Sequence, residues 1–129
     1  MAAIRSKDTK PEMHVRRRVH AAGFRFRLHR RDLPGRPDLV FPRYRLAVFV
    51  HGCFWHGHDC ERAGRPRKNT AYWGPKIEGN MVRDKRNVYS LEQEQWDVFT
   101  IRECTLERDT QRLLGRLDAF RSLERMEVA

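Results

Sequence analysis

Val15, Val19 and Ala22 recur at helical spacing after Thr9, and they predict a first helix that Gly23 ends. Thr9 followed by Glu12 is a capping-box pattern, and Pro11 falls in the first turn, where its missing N–H is harmless. Phe24, Phe26 and Leu28 then alternate with Arg25, Arg27 and His29, the period of a half-buried strand. Leu33-Pro34-Gly35-Arg36-Pro37 reads as a turn, Asp38 to Phe41 as a short strand, and Pro42 to Arg45 as a second turn. Leu46 to Val50 is apolar throughout, which predicts a central strand covered on both faces. From Gly52 to Pro75 no period persists, so a long loop is expected there. Ile77, Met81, Val88 and Leu91 mark a helix to about Gln95, and Trp96 to Ile101 a further strand with Trp96 in the core. Leu106, Leu113, Leu117 and Phe120 mark a closing helix capped by Thr105. The order of helix, three strands, loop, helix, strand and helix predicts an α/β domain with a mixed central sheet flanked by helices.

Charge narrows the class of partner. The 129 residues hold 27 Lys and Arg against 17 Asp and Glu, a formal net charge of +10. The excess is spread along the chain, with eleven basic residues in 1–36 and eight more in 62–86. Such a field attracts a polyanion, and nucleic acid is the expected partner. No apolar run approaches the length of a membrane span, and the N-terminus lacks the pattern of a secretory signal, so a cytosolic location is expected. The length predicts one domain, residues 9–129, preceded by a flexible arm at residues 1–8.

The long loop contains the strongest chemical signal. His51-Gly52-Cys53-Phe54-Trp55-His56-Gly57-His58-Asp59-Cys60 is followed at a distance by Cys104, just after the fourth predicted strand. Cys53, His58, Cys60 and Cys104 supply a tetrahedral set for a structural zinc that would pin the loop to the sheet. Buried free cysteines, an iron–sulfur centre or a catalytic metal are the competing readings. The cysteine count in a cytosolic protein argues against a disulfide framework.

A second site is expected at the strand ends. Antiparallel pairing of the second and third strands would bring the Asp38 carboxylate to the backbone around Val50 and His51. Carboxylate and carbonyl oxygens suit Mg²⁺, and a neutral histidine, His51 or His56, could take a proton from an attacking water. Glu12 either closes its capping box or orients a histidine. Phe54, Trp55, Tyr72 and Trp73 would stack on bases or wedge between them if exposed, or else cover the loop's own core.

These residues resemble the very short patch repair (Vsr) mismatch endonucleases from about Ile4 to Cys104. The matching blocks are Lys10-Pro11-Glu12, Leu33-Pro34-Gly35-Arg36-Pro37-Asp38, Phe49-Val50-His51-Gly52-Cys53-Phe54-Trp55-His56, Asn80 with Arg83-Asp84, and Glu103-Cys104. The resemblance implies a restriction-endonuclease-like fold without the usual acidic residue and lysine on the strand after Pro-Asp, since Ala47-Val48-Phe49-Val50-His51 offers neither. It implies Mg²⁺ held by Asp38 and the Val50 carbonyl, His56 as the water-activating base, Glu12 as its support, and His51 near the phosphate. It also implies a structural zinc on Cys53, His58, Cys60 and Cys104, and a DNA wedge of Phe54, Trp55 and Trp73. The implied reaction nicks double-stranded DNA 5′ of the thymine in a T:G mismatch, formed when 5-methylcytosine deaminates within a cytosine-methylase site, and so initiates very short patch repair. The implied enzyme is a monomer of the bacterial cytosol, open to recruitment by mismatch-repair proteins. The alternatives are a nuclease of the same fold with another DNA substrate, a non-catalytic zinc-stabilised DNA-binding module, and a basic RNA binder.

Overall fold

The computed structural model describes residues 9–52 and 70–128. Helix α1 spans Lys10–Ala21, with Thr9 as its N-cap: the Thr9 hydroxyl accepts the Glu12 N–H at 3.3 Å. Strand β1 is confined to Arg27–Leu28, β2 covers Leu39–Phe41, and β3 covers Leu46–His51. Helix α2 runs from Thr70 to Gln93, β4 from Asp97 to Arg102, and α3 from Leu106 to Val128. The element order is the one the periodicity predicts.

The four strands form one sheet in the order β1-β2-β3-β4, with the first two pairings antiparallel and β3–β4 parallel. Side chains alternate between the two faces along β2 and β3, and both faces are buried through Phe49. Leu39, Phe41, Leu46 and Val48 join Val15 and Val19 of α1, Ile101 of β4, and Leu113 and Leu117 of α3 in one core. Val40, Ala47 and Phe49 turn to the other face and meet Leu33, Leu91 of α2 and Trp96. The apolar run in β3 is therefore covered from both sides, by α1 and α3 on one and by α2 on the other. Leu113 and Leu117 are fully buried, and truncating either to Ala would remove about 2–5 kcal/mol.

Two local expectations are corrected. The segment 24–29 pairs only at two residues, because Phe24 and Phe26 pack into the α1–α3 core rather than extending the ladder. Helix α2 starts at Thr70, within the predicted loop, and carries Pro75 inside it. Gly74 and Pro75 signal a break, yet Pro75 removes a single backbone bond near the start of a 24-residue helix that Ile77 and Leu91 anchor. Thr105 directly precedes α3, the position expected of its cap, and also ends a 3-10 turn, Glu103–Thr105. Its hydroxyl donates to Asp109 Oδ2 at 2.8 Å, and the same oxygen accepts the Arg102 N–H at 3.0 Å.

Arg45 ties the start of β3 to the start of β4. Its guanidinium donates to the Glu94 carbonyl at 2.7 Å and lies over the Trp96 ring, and its own carbonyl accepts the Asp97 N–H at 2.8 Å. Trp96 is buried, as expected of a core aromatic. Among the described residues no helix is long and apolar enough to cross a membrane.

Candidate active site at the Asp38 end of the sheet

Asp38 directly precedes β2, and the antiparallel register pairs Leu39 with Val48. That register carries the Asp38 side chain to the far end of β3, where its Oδ2 accepts the Val50 N–H at 2.7 Å. The proximity expected from the hairpin is present. Burial pushes the Asp38 carboxyl up to about 7, against the lowering effect of the Val50 N–H; the neighbouring Glu12 carboxylate adds to the rise.

Glu12 comes from the first turn of α1 and is only 1% exposed. Its Oε2 accepts from His29 Nε2 at 2.8 Å and from Arg16 Nη1 at 3.3 Å. Thr9 caps the helix while the carboxylate of Glu12 points into the site, so the capping hydroxyl and the site carboxylate are separate parts. The Glu12 carboxylate thus meets a histidine, His29, that the sequence reading did not place in the site.

His29 is the residue that sequence reasoning missed. It follows β1, its N–H donates to the Asp38 carbonyl at 3.3 Å, and its φ of 46° lies in the left-handed region. The ligand atoms of Glu12, His29 and Asp38 all lie within 4.8 Å of one another. In the observed register Leu28 pairs with Leu39, so the next residue on, His29, faces Asp38.

His51 closes β3 beside Arg102 of β4, its ring 5.8 Å from that of Phe49. Cys104 sits half-buried in the 3-10 turn after β4, at the same end of the sheet. Burial opposes the charged form of Asp109, but bonds from the Arg102 N–H, Thr105 and Arg108 outweigh it and hold the carboxyl below its ordinary range. This carboxylate bridges the end of β4 and α3, and so fixes the turn that presents Cys104. Trp73 lies on the backbone of the first turn of α2, and its side chain is outside the described residues. Cys53, Phe54, Trp55, His56, His58 and Cys60 also lie outside the described residues.

A separate concavity lies elsewhere on the surface. It encloses about 1050 Å³ beside His20, Phe24, Arg25, Tyr44 and Arg121, near the C-terminal end of α1. It lacks paired carboxylates and a metal-ligating set, so the chemistry is assigned to the Asp38 end.

The profile of the DNA mismatch endonuclease Vsr family matches residues 1–62. The chain is 50% identical over 119 residues to the type II nicking enzyme V.XorIIP of Xanthomonas oryzae pv. oryzae, covering 92% of this chain and 84% of that protein. This chain belongs to the Vsr family. It is 42% identical over 106 residues to the type II nicking enzyme V.NmeAIP of Neisseria meningitidis, covering 82% of this chain and 76% of that protein. The DNA mismatch endonuclease Vsr of Escherichia coli is 40% identical over 106 residues, with 82% of this chain and 68% of that protein covered. As a Vsr-family endonuclease the chain is a hydrolase, and the readings as a non-catalytic DNA-binding module or a basic RNA binder are set aside.

Proposed function

We propose that this protein is a Mg²⁺-dependent, strand-specific endonuclease that nicks DNA 5′ of the thymine in T:G mismatches within a cytosine-methylase site. The fold it would use is the restriction-endonuclease-like one. The observation that carries the reading is the Asp38 carboxylate, buried against the Val50 N–H at 2.7 Å with Glu12 and His29 beside it. Supporting it are the relatives above, whose names describe mismatch cleavage and nicking.

The donor set fits a divalent cation. A buried carboxylate, a partly buried one and an imidazole converge, and with the Asp38 carboxyl raised to about 7 a bound cation would compete with its proton. A bound Mg²⁺ would polarise the scissile phosphate and neutralise charge developing on it. Asp38 and the Val50 carbonyl would hold that cation. His56 would accept the proton of the attacking water, and His51, at the end of β3, would face the phosphate. Cys53, His58, Cys60 and Cys104 would bind a structural zinc that closes the segment after β3 onto the turn after β4. Phe54, Trp55 and Trp73 would enter the stack, where a wobble pair unstacks more readily than a matched one. The excess of basic residues serves the encounter with duplex DNA in the bacterial cytosol. Monomeric action and recruitment by mismatch-repair proteins belong to the same reading.

The test is strand-resolved nick mapping on duplexes carrying T:G, other mismatches or matched pairs, with varied flanks and with or without Mg²⁺. A single Mg²⁺-dependent nick 5′ of the mismatched thymine is expected. Equal rates on matched duplex, or full activity of Asp38→Ala, would overturn the proposal.

A further inference from the structure

His29 has a place in the site that neither its local strand nor the backbone demands. A left-handed φ of 46° is uncommon for a residue with a side chain. Here it accompanies a ring delivered to a carboxylate that is almost wholly buried, Glu12 at 1% exposure. Asp38 completes the group, tied to His29 through the backbone bond of 3.3 Å.

The spacing approaches that of ligands around one ion, with one pair already at the distance of adjacent ligands. Ligand bonds of about 2.1 Å in an octahedron put adjacent donors about 3 Å apart and opposite donors about 4.2 Å apart. His29 Nε2 and Glu12 Oε2 are 2.8 Å apart, and the full set lies within 4.8 Å. Small side-chain adjustments would seat all three on one face of an octahedron. The opposite face would remain for the Val50 carbonyl, water and phosphate oxygens, which an endonuclease must admit.

We infer that His29 is a direct ligand of the divalent cation at Asp38, with Glu12 as the third side-chain ligand. This deepens the proposed function and rests on its reading of Asp38 as a cation ligand. The ring N–H would then be carried by Nδ1, leaving the Nε2 lone pair for the ion. An imidazole nitrogen favours first-row transition ions, whereas Mg²⁺ prefers oxygen. The site therefore takes Mn²⁺ in preference to Mg²⁺, and the imidazole sets much of that preference. Were His29 only a hydrogen-bond partner of Glu12, a glutamine amide could replace it without changing the ion preference.

The experiment uses the full chain, dialysed free of loosely held divalent ions and titrated with Mn²⁺. Electron spin echo spectroscopy reads nitrogen coupled to bound Mn²⁺, and Mg²⁺ competition gives the second affinity. Wild-type protein should show an imidazole nitrogen signal that shifts on ¹⁵N-histidine labelling, a measurement that needs no variant. His29→Gln should lose the signal and weaken Mn²⁺ binding at least about tenfold, with a much smaller change for Mg²⁺. No histidine nitrogen on Mn²⁺ in the wild type overturns the inference, as does a signal unchanged in a folded His29→Gln protein. Asp38→Asn separates the two levels. If it still binds Mn²⁺ and nicks DNA, the active-site reading falls; if it loses both while wild type shows no nitrogen coupling, only the role of His29 falls.

Discussion

Gly35 lies against Asn87 of α2 so closely that a Cβ on Gly35 would stand 2.7 Å from the Asn87 amide nitrogen and 2.9 Å from its Cβ. Gly35 also adopts a φ of +76°, which a side chain resists. The turn leading into Asp38 is thereby seated on the helix behind the sheet. Gly35→Ala should lower stability by about 2–4 kcal/mol, combining backbone strain with overpacking. Urea unfolding measures it. Adding Asn87→Ala should recover only part of the loss, because the Asn87 Cβ and the positive φ both remain.

Asp38→Asn should abolish nicking and yet spare or raise stability. The folded protein holds the Asp38 proton up to a pKa of about 7, well above its ordinary 3.8. Folding thus gains from this proton at low pH. In the cation-free protein that gain is fully present below the unfolded pKa, declines as pH rises towards 7, and is gone beyond it. The slope is at most about 1.4 kcal/mol per pH unit. The asparagine keeps an acceptor for the Val50 N–H and carries no charge beside Glu12. Denaturant midpoints from pH 4 to 8 in chelator should fall for wild type relative to the variant. Parallel curves would show that Asp38 titrates normally.

Much of this arrangement is readable from residue order alone, for specific reasons. Asp38 and Val50 flank one tight connection, so their meeting follows from a short turn and a two-residue period. His29 was missed because its strand contributes only two paired residues, which leaves alternation a weak guide to register. The two readings of Glu12 meet at one residue, whose N–H serves the Thr9 cap while its carboxylate reaches His29. Helix α2 begins early for the opposite reason: local breakers at Gly74 and Pro75 yield to burial of Ile77 and Leu91, a tertiary term that local sequence does not contain.

Asp109→Ala should unlatch the turn that holds Cys104. It removes the acceptor of both the Arg102 N–H and the Thr105 hydroxyl, and about 1–2 kcal/mol of stability is expected to go with it at neutral pH. Because the folded Asp109 pKa is depressed, its contribution is present above the ordinary carboxylate range and lost as pH falls through the lower folded value. Wild type and variant should therefore converge in acid. A difference that persists undiminished below about pH 2 would point to packing instead of charge.

If Cys104 belongs to the proposed zinc set, elemental analysis should find one zinc per chain. Cys104→Ala should release that zinc and lower the unfolding temperature, since structural zinc contributes folding free energy directly. Cys104→Ala protein with full zinc content and unchanged melting would remove Cys104 from the set.

The parallel pairing of β3 with β4 has a consequence for assembly on the ribosome. Glu12, His29, Asp38 and His51 are all synthesised before any of α2 appears, whereas Leu46 waits for Asp97, across half the chain, to complete its ladder. The reactive groups thus emerge early, while Leu39, Phe41 and Val48 lack the Leu113 and Leu117 side chains that later cover them. A pairing so distant in sequence is slow to close and leaves apolar strands open meanwhile. Competence to cut would then arise only after α3 has left the exit tunnel and docked.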